Sequence, residues 1–347
     1  MTDDRQAFVA GLPKAELHVH HIGSASPEVV SQLAQRHAGV TPVPIDPVAL
    51  ASYFTFTDFA HFIEVYLSVV DLIRDPQDVW TLTHTVGVDL AAQQVRYAEV
   101  TITPYTSVIR GIAADAFCEA LEDARRVVER VHDITLRWCF DIPGEAGLEA
   151  ADVTLDVALR CRPEGLVSFG LGGPEIGVPR PQFASHFARA RAAGLHSVPH
   201  AGESAGPQSI WDALDFLGAE RIGHGIAAAQ DPALMQALVD RGVALEVCPT
   251  SNVCTRSVPS LSAHPLPALV AAGVVVTINS DDPPMFATNL NNEYVVAASL
   301  LDLDIAGVAD LARTAAGVSF LPATGKAALV AEIDAYEKSW PADGTGV

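Results

Sequence analysis

Short runs of β-branched and other apolar residues alternate along the chain with longer amphipathic stretches rich in Ala, Leu and Arg. The runs predict eight strands: Glu16–His20, Arg96–Thr103, Thr135–Asp141, Leu166–Leu171, His196–His200, Arg221–Gly225, Ala244–Cys248 and Val274–Asn279. Between them, Asp115–His132 and Pro181–Ala193 carry apolar residues at three- and four-residue spacing, as amphipathic helices do. Strands that alternate with helices indicate a parallel sheet, and eight strands suit a closed (β/α)8 TIM barrel of the α/β class.

Two regions of the pattern fall outside the repeating unit. Residues Ser52–Ile73, after the first strand, form two aromatic-rich helical segments, which are either helix core or an apolar lid over a substrate pocket. Residues Asn291–Lys338, after the last strand, predict helices on the outside of the barrel. A chain of 347 residues suits one barrel with such insertions, so we expect a single domain over residues 1–347.

The charge balance is strongly acidic, with 42 Asp and Glu against 21 Lys and Arg and a formal net charge of -21. This charge repels phosphate backbones and anionic membrane surfaces, so we expect neither nucleic acid nor a membrane as a partner. No apolar run approaches the ~20 residues of a spanning helix, and the N-terminus has no hydrophobic signal core. Five cysteines without paired spacing favour the reducing cytoplasm.

Candidate chemistry begins on the first predicted strand, where His18 and His20 lie two residues apart. Side chains alternate faces along a strand, so both imidazoles point the same way, as a pair of metal ligands would. The alternative is a pair of histidines in the barrel core, which is costly for two imidazoles without hydrogen-bond partners. This pair alone is a weak indication of a metal site.

Further metal-competent and acid–base residues follow the ends of later strands: His200, Glu203, His224, Asp281 and Asp282. Each has a structural alternative, because a histidine can cap a strand or pack between glycines, and aspartates can cap a turn. The carboxyl ends of the strands, however, form the active-site face of a TIM barrel. The joint placement of these residues at one mouth therefore indicates a site.

Nitrogen and oxygen ligands without cysteine suit zinc or another divalent first-row metal. We assign His18, His20, His200 and Asp281 as ligands of one zinc ion, with a further position left for water. A bound metal lowers the pKa of that water from about 15.7 towards about 7, which makes a nucleophile available at neutral pH. Glu203 follows His200 through a glycine that lets the chain turn, so we assign its carboxyl as the general acid–base group.

These motifs resemble the adenosine and adenine deaminase family, from Pro13-Lys14-Ala15-Glu16-Leu17-His18-Val19-His20 to Ser280-Asp281-Asp282-Pro283. The resemblance covers most of the chain and implies a zinc-dependent hydrolase that removes the amino group of a 6-aminopurine nucleoside. It implies the same four zinc ligands. It also implies that Glu203 donates a proton to purine N1 and that His224 orients and polarises the attacking water. Asp282 would be the acceptor that holds N7, and the backbone N–H of Gly173 would contact N3.

The chain departs from the family pattern after the first motif. Family members that act on adenosine usually continue as His-Leu-Asp-Gly, and that Asp holds the ribose 5′-hydroxyl, whereas this chain reads His20-His21-Ile22-Gly23. Ile22 cannot accept the hydrogen bond, so we expect the site to tolerate a larger, less polar 5′ substituent. The departures resemble the branch that deaminates 6-aminodeoxyfutalosine in the futalosine route to menaquinone.

The 5′ substituent of 6-aminodeoxyfutalosine carries a carboxylate, which favours a nearby cation. Arg256 is one candidate substrate contact, and the alternative is a solvated loop residue. His21 is a second candidate, and the alternative is an outward histidine between strand and helix.

Other functions stay open beside this hypothesis. The first is adenosine or adenine deamination in purine salvage. A different amidohydrolase reaction is disfavoured, because no lysine at the end of the fourth strand could bridge two metals. A non-catalytic nucleoside-binding protein is disfavoured, because no ligand or acid is missing. The sequence thus indicates a small-molecule nucleoside as the partner and leaves the oligomeric state open.

Overall fold

The barrel predicted from the sequence is present in the computed structural model, which describes residues 2–57 and 59–341. Its strands pair in parallel and follow one another in chain order around the sheet. Their bounds are β1 (Lys14–His20), β2 (Val95–Ile102), β3 (Thr135–Pro143), β4 (Leu166–Gly172), β5 (His196–Ala201), β6 (Arg221–His224), β7 (Ala244–Val247) and β8 (Val276–Ile278). Every end lies within two residues of its prediction, so the TIM-barrel fold is confirmed.

The barrel closes between β8 and β1 through the backbone of Asp281. The Asp281 N–H donates to the His18 carbonyl at 3.1 Å, and the His20 N–H donates to the Asp281 carbonyl at 2.8 Å. The side chain of Asn279 also accepts from the Leu17 N–H at 3.0 Å. The joint between the first and last strands therefore carries three of the predicted metal ligands.

Helices surround the barrel in the described part of the chain. They are α1 (Thr2–Gly11), α2 (Pro27–Arg36), α3 (Pro47–Tyr53), α4 (Phe59–Val70), α5 (Pro76–Ala92), α6 (Pro104–Val108), α7 (Ala114–Val131), α8 (Gly147–Arg160), α9 (Ala184–Ala192), α10 (Pro207–Asp212), α11 (Pro232–Arg241), α12 (Pro249–Cys254), α13 (Leu266–Ala271), α14 (Leu290–Leu300), α15 (Ile305–Val318) and α16 (Ala323–Ser339). The helix predicted over Pro181–Ala193 starts as a 3-10 turn over Arg180–Phe183 and continues as α9. None of the described helices combines the length and hydrophobicity needed to cross a bilayer.

The helical insertion after the first strand is confirmed, because α3 ends inside the predicted range at Tyr53 and α4 lies within it. On α4, the Phe62 ring lies 5.0 Å from the ring of Phe286, which belongs to the segment after β8. Phe56, just before α4, packs on Phe62 at 5.3 Å between ring centroids. These contacts fix the insertion against the carboxyl end of the last strand. The C-terminal helices are also confirmed, as α14 to α16.

A buried network of charged side chains lies inside the barrel. Arg221 on β6 donates through Nε to Glu246 on β7 at 2.7 Å and pairs with Glu99 on β2 through its guanidinium. Tyr97 donates its hydroxyl hydrogen to Glu99 at 2.8 Å. All four side chains are buried. One guanidinium therefore neutralises two carboxylates from strands on different sides of the barrel.

We expect Arg221→Met to lower the free energy of unfolding by about 3–5 kcal/mol, because two buried carboxylates would lose their counter-charge. Urea unfolding followed by circular dichroism measures the change. The matched control is Arg126→Met, because the Arg126 side chain is 58% exposed and pairs on the surface. It should change stability by less than about 1 kcal/mol. Equally small effects in both variants would contradict the role of the network.

Candidate active site

The carboxyl ends of the strands surround a central cavity that contains most of the predicted chemistry. Seven predicted site residues line it: His20, Gly173, His200, Glu203, His224, Asp281 and Asp282. One face of α4 supplies an apolar wall of Phe62, Ile63, Tyr66 and Leu67. The aromatic insertion is interpreted from the sequence as either helix core or an apolar lid. The position of α4 against the cavity favours the lid.

The four predicted ligands meet where β1, β5 and β8 end. His18 Nε2 lies 3.5 Å and His20 Nε2 lies 3.3 Å from Oδ1 of Asp281. His20 Nε2 also lies 3.1 Å from Nε2 of His200. Two nitrogens bound to one tetrahedral zinc ion at about 2.0–2.1 Å stand about 3.3–3.4 Å apart. The imidazoles therefore face each other at nearly the separation that shared coordination requires.

The buried atoms of this cluster have bonding capacity that the protein does not satisfy. His18 Nε2 and His200 Nδ1 are buried without a hydrogen-bond partner. Ligand atoms close enough to share one ion form three overlapping groups: His18 with His20 and Asp281, His18 with His200 and His224, and His224 with Cys248 and Asp281. Imidazole nitrogens with a carboxylate are a donor set that divalent metals prefer. The residues fit a metal ion, and by distance alone His224 is also close enough to be one of the ligands.

A buried carboxylate orients His18. Nδ1 of His18 lies 2.9 Å from Oε2 of Glu246, and Oε1 of the same carboxylate accepts from Arg221. Burial disfavours the charged form of Glu246, but the Arg221 charge and the His18 hydrogen bond outweigh it and lower the pKa of Glu246. A carboxylate can only accept, so Nδ1 of His18 carries a hydrogen and, in the neutral ring, Nε2 keeps its lone pair. Metal-binding histidines need this tautomer.

Asp281 is held by both its backbone and its side chain. Its φ of +65° is a left-handed conformation that few non-glycine residues adopt, and the barrel-closing hydrogen bonds stabilise it. Ser251 donates to Oδ2 of Asp281 at 2.5 Å. Burial disfavours the charged form of Asp281, but the adjacent His18 and His20 imidazoles lower its pKa well below the ordinary value. Asp281 is therefore ionised, as a metal ligand must be.

The loop that carries Glu203 is built around the carboxylate of Glu175. Oε1 of Glu175 accepts from the backbone N–H groups of Glu203 at 2.7 Å and Ser204 at 2.8 Å, and Oε2 accepts from Gly202 at 2.7 Å. Gly202 has a φ of +70°, so the turn that glycine allows is present. Arg180 lies 3.7 Å from Glu175 and supplies a counter-charge. The position of Glu203 is thus fixed through its backbone.

The Glu203 side chain projects into the central cavity. Its Oε1 accepts from the Thr255 hydroxyl at 3.2 Å, and its Oε2 lies 3.6 Å from Nε2 of His224. Burial, together with the charges of Asp281 and Glu175, raises the pKa of Glu203 to about 8. A carboxyl in these surroundings can hold a proton at neutral pH, which is the property of a general acid.

Asp282 and Gly173 provide further polar contacts in the cavity. Oδ1 of Asp282 is buried without a partner, and a Cβ atom added to Gly23 would lie 1.5 Å from it. Gly23 must therefore be glycine, because any side chain at this position would collide with the Asp282 carboxyl. Burial and the neighbouring Asp281 charge raise the pKa of Asp282 to about 7. Gly173 has a φ of +78° and exposes its backbone to a ligand in the cavity.

His21 and Ile22 do not line the central cavity. His21 is buried, and its Nε2 lies 2.8 Å from the hydroxyl of Thr83 on α5. This is the outward position between strand and helix, because side chains alternate faces after His20. Ile22 is partly buried and packs against the hydrophobic core. The structure does not bring either side chain to a ligand.

Arg256 does not line the central cavity either. It lines a neighbouring cavity, which has Glu203 and Thr255 in common with the central one. Glu203 and Thr255 therefore stand between the Arg256 segment and the metal ligands.

Several functional residues were missed by sequence reasoning. Asp141 lines the central cavity and accepts from the Thr103 hydroxyl at 2.6 Å. It ends the third predicted strand, so the rule that strand ends carry site residues could have found it. Glu175 and Glu246 act through backbone amides and another side chain, and no local sequence pattern reveals such contacts.

We expect His200→Ala to lose its bound metal, because one of four convergent donors is removed. Elemental analysis of the protein after gel filtration measures the metal content. The matched control is His196→Ala on the same strand, because His196 pairs with Glu220 and is 41% exposed. Equal metal contents in the two variants would reject His200 as a ligand.

Comparison with known proteins identifies the family. The adenosine deaminase family model matches residues 13–336. The aminodeoxyfutalosine deaminase of Streptomyces avermitilis is 64% identical over 339 residues, 97% of this chain and 94% of that protein. The adenine deaminase of Cupriavidus necator is 39% identical over 333 residues, 95% of this chain and 93% of that protein. The crystal structure of an adenine deaminase from Arthrobacter aurescens superposes with a TM-score of 0.89 at 32% identity and covers 94% of this chain and 100% of that one. This chain belongs to the adenosine deaminase family.

Proposed function

We propose that this chain is a zinc-dependent hydrolase that converts 6-aminodeoxyfutalosine to futalosine and ammonia, a step of the futalosine route to menaquinone. The choice of substrate rests on the difference in sequence identity between this chain and two kinds of relative. The identity is 64% to the aminodeoxyfutalosine deaminase and 39% to the adenine deaminase, each over nearly the whole chain. The geometry supports the reaction, because acid, imidazole and ligand groups share one cavity.

The proposal includes one zinc ion per chain, held by His18, His20, His200 and Asp281. Bound zinc supplies the Lewis acidity that makes water nucleophilic at neutral pH. The unpaired His18 nitrogen and the ionised state of Asp281 support this ligand set.

The protein's own residues supply orientation and proton transfer. The oxygen of water bonds to C6 of the purine while N1 takes a proton from the Glu203 carboxyl. The Nε2 of His224, 3.6 Å from Glu203, faces the same space and orients this oxygen. The bond from C6 to the amino nitrogen then breaks, and of the two protons that water supplied, one leaves with the nitrogen as ammonia and the other returns to the Glu203 carboxylate. C6 is left as a carbonyl group with a hydrogen on N1.

Asp282 and the backbone of Gly173 would place the purine ring through N7 and N3. Purine N7 has a lone pair and no hydrogen, so a hydrogen bond with Asp282 needs a protonated carboxyl that donates. We therefore propose a donor role for Asp282 in place of the acceptor role that the resemblance implied. The unpartnered Oδ1 of Asp282 supports such a contact.

The 5′ substituent would extend along α4 towards solvent. No Lys or Arg side chain is among the described residues that line the central cavity. We therefore place the aromatic ring of the substituent against Phe62 and Tyr66 and its carboxylate near Leu67, which is 42% exposed at the cavity wall. This placement uses neither Arg256 nor His21, the two candidate contacts that the sequence suggests. Ile22 contributes only through the missing hydrogen-bond acceptor.

Deamination of adenosine or adenine is the second candidate, and the 39% identical adenine deaminase favours it. A non-catalytic nucleoside-binding protein is disfavoured, because the four proposed ligands converge and three of them line one cavity together with the acid. The proposal keeps a single domain over residues 1–347 and a small-molecule nucleoside as the partner. It also keeps a cytoplasmic location, which the five free cysteines suit.

We expect Glu203→Gln to retain its metal while kcat falls by about 10²–10⁴-fold, because the proton donor is lost. Glu175→Gln should also lower kcat, because one of its oxygens that accepts from the Glu203 loop becomes an amide nitrogen. Steady-state kinetics on the single and double variants measure the coupling. Glu175→Gln should add little to the loss in the Glu203→Gln background. Losses that multiply would show that Glu175 does not act through Glu203.

The proposed substrate is tested by the loss of 6-aminopurine absorbance together with ammonia release. Adenosine, adenine, 5′-methylthioadenosine and 6-aminodeoxyfutalosine are compared side by side. We expect kcat/KM to be at least about tenfold higher for 6-aminodeoxyfutalosine, because the apolar α4 wall contacts its 5′ group. A preference for adenosine or adenine would favour the second candidate, and no ammonia from any substrate would reject the reaction.

A further inference from the structure

A chain of hydrogen bonds connects the backbone of α13 to the imidazole of His224. The Leu266 N–H donates to Nδ1 of His264 at 3.1 Å, and Nε2 of His264 lies 3.2 Å from Oδ1 of Asn252. Nδ2 of Asn252 lies 3.2 Å from Nδ1 of His224. The three side chains are each 5% exposed or less. Bulk water therefore does not compete for these contacts.

The first donor of this chain determines every later hydrogen position. A backbone N–H can only donate, so Nδ1 of His264 is an acceptor and its ring hydrogen is on Nε2. This hydrogen faces Asn252, so the amide oxygen must point to His264 and the amide nitrogen to His224. The amide nitrogen can only donate, so Nδ1 of His224 is an acceptor. The ring hydrogen of His224 is therefore on Nε2.

The surroundings agree with neutral imidazoles. Burial lowers the pKa of His264 to about 4, so the ring has a single hydrogen at neutral pH. His264 is anchored by the Leu266 backbone, and Asn252 is anchored by its place in α12. Neither group can reverse its orientation without leaving a buried donor unpaired, which costs about 1–3 kcal/mol.

The tautomer decides what His224 can do in the cavity. Its Nε2 lies 3.6 Å from Oε2 of Glu203 and 3.9 Å from Oδ2 of Asp281. Both neighbours are oxygens that can accept a hydrogen bond. The Nδ1 lone pair is already used by Asn252, and Nε2 carries hydrogen. The ring therefore has no free lone pair for a metal ion.

We infer that Asn252 and His264 are positioning residues that hold His224 as the neutral Nε2–H tautomer, a hydrogen-bond donor that stays outside the metal's ligand set. The inference deepens the proposed function and rests on it, because there the donor acts on the oxygen that adds to C6. His224 thereby drops out of the ligand groups that it could join by distance alone. A preorganised donor of this kind stabilises charge that develops in the transition state.

Long-range ¹H–¹⁵N spectra of the zinc-loaded, ¹⁵N-histidine-labelled protein at neutral pH test the tautomer directly. The His224 signals are assigned by their loss in His224→Gln. We expect an unprotonated Nδ1 and a protonated Nε2, and a protonated Nδ1 would overturn the inference. The readout needs no turnover, so its failure is distinguishable from failure of the proposed function.

Asn252→Asp tests the role of the amide, because a carboxylate accepts where the amide nitrogen donates. We expect Nδ1 of His224 to gain a hydrogen in this variant, and an unchanged Nδ1 signal would overturn the inference. The matched control is Asn289→Asp at the N-terminus of α14, where either residue caps the helix. It adds the same charge and should leave the His224 signals unchanged.

Kinetics separate positioning from packing at His264. His264→Leu should lower kcat by roughly tenfold or more, with KM and zinc content unchanged, because the tautomer of His224 is no longer fixed. His264→Gln restores an N–H donor towards Asn252 and should recover much of the lost kcat. Equal losses in the two variants would show that His264 only fills space, against the inference.

Discussion

The structure depends on three imidazoles and one carboxylate that converge in the buried mouth of a closed barrel. Desolvated polar groups of this kind are unfavourable unless each finds a partner. His18 is satisfied on one nitrogen by Glu246, while its other nitrogen remains unpaired next to Asp281. The site also accepts left-handed backbone at Asp281 and His224, a strain that persists only where the surroundings fix it. The protein thus holds in place a donor set that a divalent cation would complete.

Buried acidic side chains away from the reacting atoms keep this donor set in position. Glu246 orients a ligand, Glu175 accepts from the amides of the Glu203 loop, and Glu16 accepts from the Ser280 N–H at 2.8 Å just before Asp281. Glu293 does the same for the segment after β7, where it accepts from the Thr250 N–H at 3.0 Å. Some of the many acidic residues of this chain therefore serve to position the active-site segments. Hydrogen bonds from backbone N–H groups to these buried side chains fix the conformation of the active-site loops.

The sequence predicted the strands and the convergence of the ligands well, because both follow from local periodicity and from the rule that strand ends share one face. Asp141 also ends a predicted strand, so the same rule could have identified it. The tautomer of His224 was not predictable, since it depends on Asn252 and His264 meeting across different loops. For His21, position in the sequence is misleading. It lies next to the predicted ligand His20, but side chains alternate along the strand, so His21 faces α5 instead of the cavity. Side chains that act through tertiary contacts leave no pattern in the chain.

The central claim is that one zinc ion, held by His18, His20, His200 and Asp281, shares a cavity with a purine placed by Glu203 and Asp282. Anomalous diffraction at the zinc edge, from crystals grown with futalosine, tests it most directly. We expect a single zinc peak about 2.0–2.2 Å from those four ligands, with the purine N1 edge at Glu203 and N7 at Asp282. A zinc ion coordinated by His224, no zinc at this cluster, or a purine bound elsewhere would contradict it.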